Sequence, residues 1–509
     1  MLSACASVLP QVERRPSASL AGAPGSALVT VARDAGVPDG ASGVWPIPQA
    51  NFALDTRLAM IAAATRSLDL QSYLIADDAT GRTILRALRD AAARGVRVRV
   101  LVDDLYTVDM DRLLLGLATQ PNVEVRLFNP FVTARDSSLR RLLALAGNFK
   151  RLNHRMHNKL FIADAAVAVV GGRNLADEYF LRGKVGNFID FDLLVTGAVL
   201  PQLNHWFDLY WNSTQVYPAL DIVRASGPPS APPETLRAAF EQSTAKDLPE
   251  APLGGLDLFG APAFGAQLAQ RKFHLLAAES FAHADSPDKI APDDHSIATS
   301  DTVNHRFLLV LSNARDEVLL FSPYFIPGAE ALERIAALRR RGVGVRVVTN
   351  SLAASDEPLV SIGLERHQTE LLKIGVDLYE LSSDRLKLDR TLRGLLGSTT
   401  GRLHAKMGFI DRKTVLVGSM NLDPRSDKIN TEIGMRVDSP ELAAMILGAF
   451  QVDEMAGVYQ VKLRPDGAGV RWIAAGAAAG EELDVDPDTS LWQRIRLMLL
   501  SIFIPESLL

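Results

Sequence analysis

The pattern His-x-Lys-x4-Asp-x6-Gly-(Gly/Ser)-x-Asn occurs twice in this chain, with identical internal spacing. The first copy is His157, Lys159, Asp164, Gly171, Gly172 and Asn174; the second is His404, Lys406, Asp411, Gly418, Ser419 and Asn421. The two histidines stand 247 residues apart, and so do Gly95 (in Ala-Arg-Gly-Val-Arg-Val-Arg-Val) and Gly342 (in Arg-Arg-Gly-Val-Gly-Val-Arg-Val). Two landmarks at one offset indicate a repeated folding unit rather than a chance recurrence of a motif. A third supports it: the segment SLDLQSYLI from Ser67 resembles EVLLFSPYFI from Glu317.

Each unit alternates helical and strand periodicity. In the first, Phe52–Thr65 and Gly81–Arg94 read as helices, and Ser67–Leu74, Val96–Val102, Val123–Phe128, Asn158–Ala163 and Val167–Val170 as strands. The second repeats the order with Phe307–Ala314, Val318–Phe321, Ala329–Arg341 and Val343–Val348. The alternation predicts an α/β fold, two tandem domains each with a mixed sheet flanked by helices. The expected layout is a flexible, Ala/Gly/Ser/Pro-rich segment over 1–50 and a first repeat over 51–215. A Pro-rich linker with some helix follows over 216–300, then a second repeat over 301–455 and a C-terminal extension over 456–509.

Composition narrows the classes. A formal net charge of −5 gives no global basic field for nucleic acid. No run of 18 or more apolar residues suggests a membrane span. Cys5 is the single cysteine, which excludes intramolecular disulfides and thiolate metal clusters. Leu2-Ser3-Ala4-Cys5 resembles a lipoprotein cleavage box, but the charged and apolar regions that should precede it are missing; the favoured expectation is an unprocessed tail.

The motif residues suit chemistry on a phosphodiester. On a strand, residues i and i+2 face one side, so His157 projects with Lys159, and His404 with Lys406. An imidazole can be nucleophile or proton shuttle near neutral pH, and a neighbouring lysine neutralises non-bridging phosphate oxygens. Asp164 and Asp411 fall at expected hairpin turns, where turn formation and ion pairing are their expected work. Asn174 and Asn421 can donate amide hydrogen bonds to phosphate oxygens, and the glycines before them allow close backbone approach. A hydrolytic zinc site is disfavoured, because no His-Glu-x-x-His or Cys/His cluster exists.

The paired motifs resemble those of the phospholipase D superfamily, over about residues 50–460. Several strings narrow the resemblance to bacterial cardiolipin synthases of the C-type branch: Gly171–Phe180 (GGRNLADEYF), Thr349–Ala354 (TNSLAA), Asn421–Ser426 (NLDPRS) and Leu403–Lys406 (LHAK). The resemblance implies two halves about a pseudo-two-fold axis sharing one metal-free, cofactor-free active site. It implies a covalent phosphohistidine on one histidine, His157 by family habit, with His404 as acid and base. The lysines and asparagines would bind phosphate, with Ser419 an extra hydroxyl donor that Gly172 lacks. It further implies an acidic partner for each histidine from the opposite half: Glu432 for His157 and Asp192 for His404. The expected reaction is phosphatidyl transfer to phosphatidylglycerol, from a donor such as phosphatidylethanolamine or phosphatidylglycerol. The alternatives are hydrolysis to phosphatidic acid and, further off, a nuclease.

Two segments fit a lipid substrate. Ser490-x-x-Gln493 can form a capping box, opening an amphipathic stretch Leu491–Ile504 too short to span a bilayer. Arg135 to Arg155 is basic and apolar together, which suits a membrane-facing lid. The expected partners are phospholipids and a membrane surface, with no nucleic acid. The expected location is the bacterial envelope, peripherally attached, or lipid-anchored through Cys5 if the true start lies upstream.

Overall fold

The computed structural model describes residues 9–501 apart from 109, 134, 136, 227–230, 246–252, 291–300, 387–388, 390–398, 468 and 477–479, and describes no side chains at 358, 359, 361 and 497–501. Cys5 and residues 502–509 therefore lie outside the described residues.

Each half builds one mixed sheet, and the strand order is the same in both. In the first half it runs Val216–Pro218, Val123–Phe128, Arg97–Asp103, Ser67–Ser72, Leu160–Ala163, Val167–Gly171, Asp192–Gly197, Ser42–Ile47. In the second it runs Val458–Leu463, Asp377–Leu381, Gly344–Asn350, Glu317–Phe321, Met407–Ile410, Thr414–Gly418, Ile433–Asp438, Leu276–Ala284. Only the three strands joined by helical crossovers are parallel; the rest are antiparallel. Gly95 and Gly342 end the crossover helices at φ +94° and +85°, a left-handed turn that glycine reaches without a Cβ clash.

The halves meet sheet against sheet. One buried apolar cluster joins Leu160, Ile162, Val170 and Leu193 of the first sheet to Phe321, Phe409, Val415, Val417 and Met435 of the second. The outer faces carry separate clusters, in which crossover helices such as Ala79–Ala93 and Ala329–Arg340 bury leucines against the sheets. The result is a helix–sheet–sheet–helix arrangement with an apolar interface on the pseudo-axis.

Two expectations about the connecting segments need correction. Residues 1–50 are not uniformly loose: Ala27–Asp34 is a helix with Leu28 and Val31 buried, and Ser42–Ile47 is a wholly buried strand. That strand pairs with Leu276–Ala284 only through Ser42–Val44, leaving Pro46 on a stretch with one neighbour, where its missing N–H costs nothing. Within 216–300, Leu276–Ala284 is a core strand of the second sheet and the counterpart of Ser42–Ile47, so the repeated fold extends upstream of residues 51 and 301. Helices occupy Pro233–Thr244 and Phe264–Gln270, and from Leu276 the chain joins the sheet.

Candidate active site

The two histidines do not sit within strands, as the i, i+2 reading supposed. His157–Lys159 precedes the strand Leu160–Ala163, and His404–Lys406 bridges Gly401–Leu403 and Met407–Ile410. In place of in-sheet pairing, each segment is bound to the opposite half. His157 N donates to Thr431 O at 2.9 Å, and Thr431 N donates to Arg155 O at 2.9 Å. His404 N donates to Ile189 O at 2.7 Å, and Gly401–Leu403 pairs in parallel with Asn187–Ile189. The residue before each histidine is held by a side chain at the end of a parallel strand: Asp103 accepts from Met156 N, and Asn350 accepts from Leu403 N, each at 2.8 Å.

Carboxylates from the opposite halves orient the rings. His157 Nδ1 lies 3.0 and 3.2 Å from the two Glu432 oxygens. Glu432 also accepts the Ser419 and Ser426 hydroxyls, so its carboxylate is fully engaged. His404 Nδ1 lies 2.6 Å from Asp190 Oδ2. This corrects the expected partner Asp192. In the antiparallel register Gly171 faces Asp192 while Gly418 faces Gly434, so Asp192 is the counterpart of Gly434 and Asp190 the counterpart of Glu432. Asp192 instead pairs with Arg57 at 2.9 Å and Arg173 at 3.1 Å beneath the site.

The same register explains why the first motif carries glycine where the second carries Ser419. A Cβ on Gly172 would stand 2.1 Å from Asp190 Oδ1. Ser419 itself corrects a second expectation: its hydroxyl is spent on Glu432, and it receives Ile433 N, so it orients the carboxylate rather than facing a phosphate. Asp164 and Asp411 do occupy hairpin turns, at φ +53° and +51°. They accept backbone N–H groups (Thr65, Arg66 and Ser67; Arg315, Asp316 and Glu317) where ion pairing was expected, tying each turn to the start of a neighbouring strand.

Both lysines are buried, and each ammonium donates to the carbonyl of its own motif histidine at 2.6 Å. Burial pushes the His157 ring down to about 4, despite the opposing pull of Glu432. Burial and the Lys406 charge also lower His404. Desolvation takes Lys159 well below its usual range and Lys406 down to about 8. Burial alone would raise Asp190, but His404, Lys406 and Arg173 hold it down at about 2. The resting site thus contains neutral imidazoles whose Nδ1–H points at a carboxylate, which leaves Nε2 with the lone pair.

A pH profile follows. The lone pair on the His157 ring is lost as pH falls through about 4, when the imidazole takes a proton. The Lys406 positive charge is lost as pH rises through about 8, when the ammonium gives up a proton. The kcat/KM measured against pH at fixed ionic strength should fall on both sides; a flat alkaline side through pH 9 would contradict the role of Lys406.

Aromatic rings wall both imidazoles. Tyr73 meets His157 edge to face at 4.9 Å, and Tyr179 and Phe188 meet His404 at 5.0 and 5.1 Å. Asn174 donates its amide to the Tyr179 hydroxyl at 2.9 Å, and that hydroxyl lies 3.4 Å from His404 Nε2. The side-chain amide oxygens of Asn174 and Asn421 are buried without a protein partner; as acceptors they suit a ligand hydroxyl rather than a phosphate oxygen. Asp190 and Tyr179 were missed in the sequence reading. Asp190 stood beside the residue chosen, and Tyr179 lay inside a segment quoted only for its resemblance.

The expected lid divides differently from its sequence pattern. Arg135 pairs with Asp104 and Asp111, Arg155 with Asp103, and Arg141 donates to the Asp104 carbonyl, all buried. Leu139, Leu142 and Leu143 of the helix Ser138–Gly147 are more than 60% exposed, and Arg140 and Lys150 are exposed with them, so the outward face is apolar with two cations. The C-terminal capping box forms as expected: Gln493 N donates to Ser490 Oγ and Ser490 N to Gln493 Oε1, opening the helix Leu491–Ser501. Trp492 there is 80% exposed. Among the described residues no helix is long and apolar enough to cross a membrane.

Comparison with known proteins agrees with this geometry. The family model for the cardiolipin synthase phospholipase D-like domain matches residues 58–211 and 308–453. Cardiolipin synthase C of Escherichia coli K12 is 34% identical over 472 residues, covering 92% of this chain and 97% of that protein. An uncharacterized Helicobacter pylori protein is 30% identical over 447 residues, 87% of this chain and 85% of its own. The structure of phosphatidylserine synthase from Haemophilus influenzae Rd KW20 superposes with a TM-score of 0.56 over 95% of this chain and all of that one. At 13% identity, it speaks for the fold alone.

Proposed function

Because the chain belongs to the phospholipase D-like cardiolipin synthase family, we propose that it is a phosphatidyltransferase that makes cardiolipin through a phosphatidyl-histidine, with phosphatidylglycerol as acceptor. The observation that carries the reading is the pair of imidazole–carboxylate–lysine sets, each completed across the two halves by His157–Glu432 and His404–Asp190.

The roles divide by what occupies each Nε2. His404 Nε2 already has the Tyr179 hydroxyl and the Lys406 ammonium near it, at 3.4 and 3.1 Å. No hydrogen bond engages His157 Nε2 among the described residues, which suits a nucleophile. His157 Nε2 attacks phosphorus, and the phosphorus–oxygen bond to the donor headgroup breaks. The departing alkoxide takes a proton from His404, which Asp190 and the arriving phosphate charge help to protonate. The acceptor hydroxyl then returns a proton to His404 as its oxygen attacks phosphorus and displaces His157. The lysines hold the non-bridging oxygens. Water in place of the acceptor gives phosphatidic acid, so the apolar interface and aromatic walls favour transfer.

The substrates place the enzyme at a membrane surface in the bacterial envelope. The exposed Leu139, Leu142, Leu143 and Trp492 are suited to an acyl boundary. No step calls for a cofactor, and the acidic overall charge does not favour nucleic acid. Incubation with phosphatidylglycerol vesicles, with and without phosphatidylethanolamine, followed by chromatography should yield cardiolipin. Phosphatidic acid without cardiolipin in both mixtures would overturn the reading.

A further inference from the structure

The 247-residue offset brings two arginines into equivalence, Arg155 and Arg402, each two residues before a motif histidine. Their surroundings differ. Arg155 is fully buried and saturated: it pairs with Asp103 at 3.1 Å and donates to the Asn129 and His154 carbonyls. The residue equivalent to Asp103 is Asn350, which keeps the hydrogen bond to the backbone before the histidine but carries no charge. Arg402 has consequently lost its carboxylate. It is half-buried, and its side chain makes no hydrogen bond or ion pair with any described residue, although Glu178 lies close enough for its charge to be felt.

Arg402 instead lines a cleft of about 260 Å³, together with Lys184, Glu178, Asn187, Phe188 and the glycines of the 183–186 loop. The cleft adjoins the reaction centre. Phe188 forms part of its wall and also meets the His404 ring at 5.1 Å, and Arg402 pairs with Phe188 in the short strand that leads into His404. Two cations against one carboxylate leave it net positive.

We propose that this cleft is the subsite for the acceptor's own phosphodiester, with Arg402 and Lys184 as its ligands. The inference rests on the reading of phosphatidylglycerol as acceptor. The hydroxyl that attacks must reach His404, while the phosphate of the same glycerol headgroup remains beyond it. A guanidinium can bind a phosphodiester with two parallel hydrogen bonds, which a lone ammonium cannot. The cleft therefore selects an anionic alcohol over water or a neutral alcohol at the second step, and makes the two halves of the duplication unequal: one arginine builds the fold, its twin reads the acceptor.

The test is a partition experiment. Mixed phosphatidylethanolamine–phosphatidylglycerol vesicles are supplied with ethanol, so that cardiolipin and phosphatidylethanol form from one intermediate in one tube. Arg402→Gln and Lys184→Gln should each lower the cardiolipin-to-phosphatidylethanol ratio, by about tenfold or more for Arg402, with Arg402→Lys recovering part of it. A folding or vesicle-binding defect lowers both products and cancels from the ratio. An unchanged ratio in Arg402→Gln overturns the subsite. Failure of the wild-type protein to make any cardiolipin overturns instead the acceptor reading on which it rests.

Discussion

Replacing His157 by alanine should lower phosphatidyl transfer by at least ~10⁴-fold and abolish hydrolysis with it, because both products pass through the same covalent intermediate. The substitution removes the nucleophile but leaves the backbone bond from residue 157 to Thr431 O available. The ring is almost wholly buried between Tyr73 and Glu432, so the loss opens a cavity beside an engaged carboxylate. The change in Tm should be small against the change in rate. Turnover within tenfold of wild type, measured on folded protein, would contradict a nucleophilic His157.

Asp190 and Asp192 should separate activity from stability. Asp190→Asn keeps the shape but removes the charge 2.6 Å from His404 Nδ1. It can also reverse the ring's tautomer by offering an N–H where an acceptor stood. A loss of about 10²–10⁴-fold in kcat is expected, with little change in Tm. Asp192→Asn breaks buried pairs with Arg57 and Arg173 and leaves two guanidinium groups short of a counter-charge. Its cost is about 3–5 kcal/mol of stability, while the folded fraction keeps kcat within roughly tenfold. The two variants measured side by side, by thermal unfolding and by rate per folded molecule, discriminate the residues. A crossed result, with Asp192 controlling rate and Asp190 controlling stability, would reverse the assignment.

The difference between those two aspartates also marks where sequence reasoning stopped. Residues two apart on a strand share a face, so periodicity offers Asp190 and Asp192 equally. Only the ladder register tells them apart, through Gly171↔Asp192 and Gly418↔Gly434. The constant offset could not help, because the connection from Asn174 to Asp190 is longer than that from Asn421 to Glu432. The duplication itself was legible because its landmarks are glycines and motif residues whose spacing the fold cannot alter. Ser42–Ile47 was obscured by its proline and small residues, and Leu276–Ala284 by the Pro-rich stretch before it; neither looks like a core strand until its neighbour across the sheet is known. Tyr179 was hidden for another reason. Its equivalent in the second half is Ser426, which serves Glu432 rather than the opposite histidine, so no repeated pattern marked it.

The exposed leucines of Ser138–Gly147 carry a related lesson. The stretch was read as basic and apolar together; Arg140 and Lys150 do stay exposed beside the leucines, but Arg135, Arg141 and Arg155 turn inward to Asp104, Asp111 and Asp103. Charge counted along a chain does not say which way it faces, and here the buried acids decide.

The central claim is that residues from both halves form one site in which His157 carries the phosphatidyl group and His404 moves the proton. It is tested most directly by trapping the intermediate. A short-chain phosphatidyl ester with an activated leaving group, which needs no general acid, should still phosphatidylate His157 in a His404→Ala variant, the phosphorus–nitrogen bond forming as the bond from phosphorus to the activated leaving group breaks. The adduct should then persist, because the variant lacks the base that activates the acceptor. Peptide mapping by mass spectrometry after acid-avoiding digestion should place the added mass on the peptide containing His157. Mass on the His404 peptide of the reciprocal His157→Ala variant, with none on His157 in the first, would contradict the account.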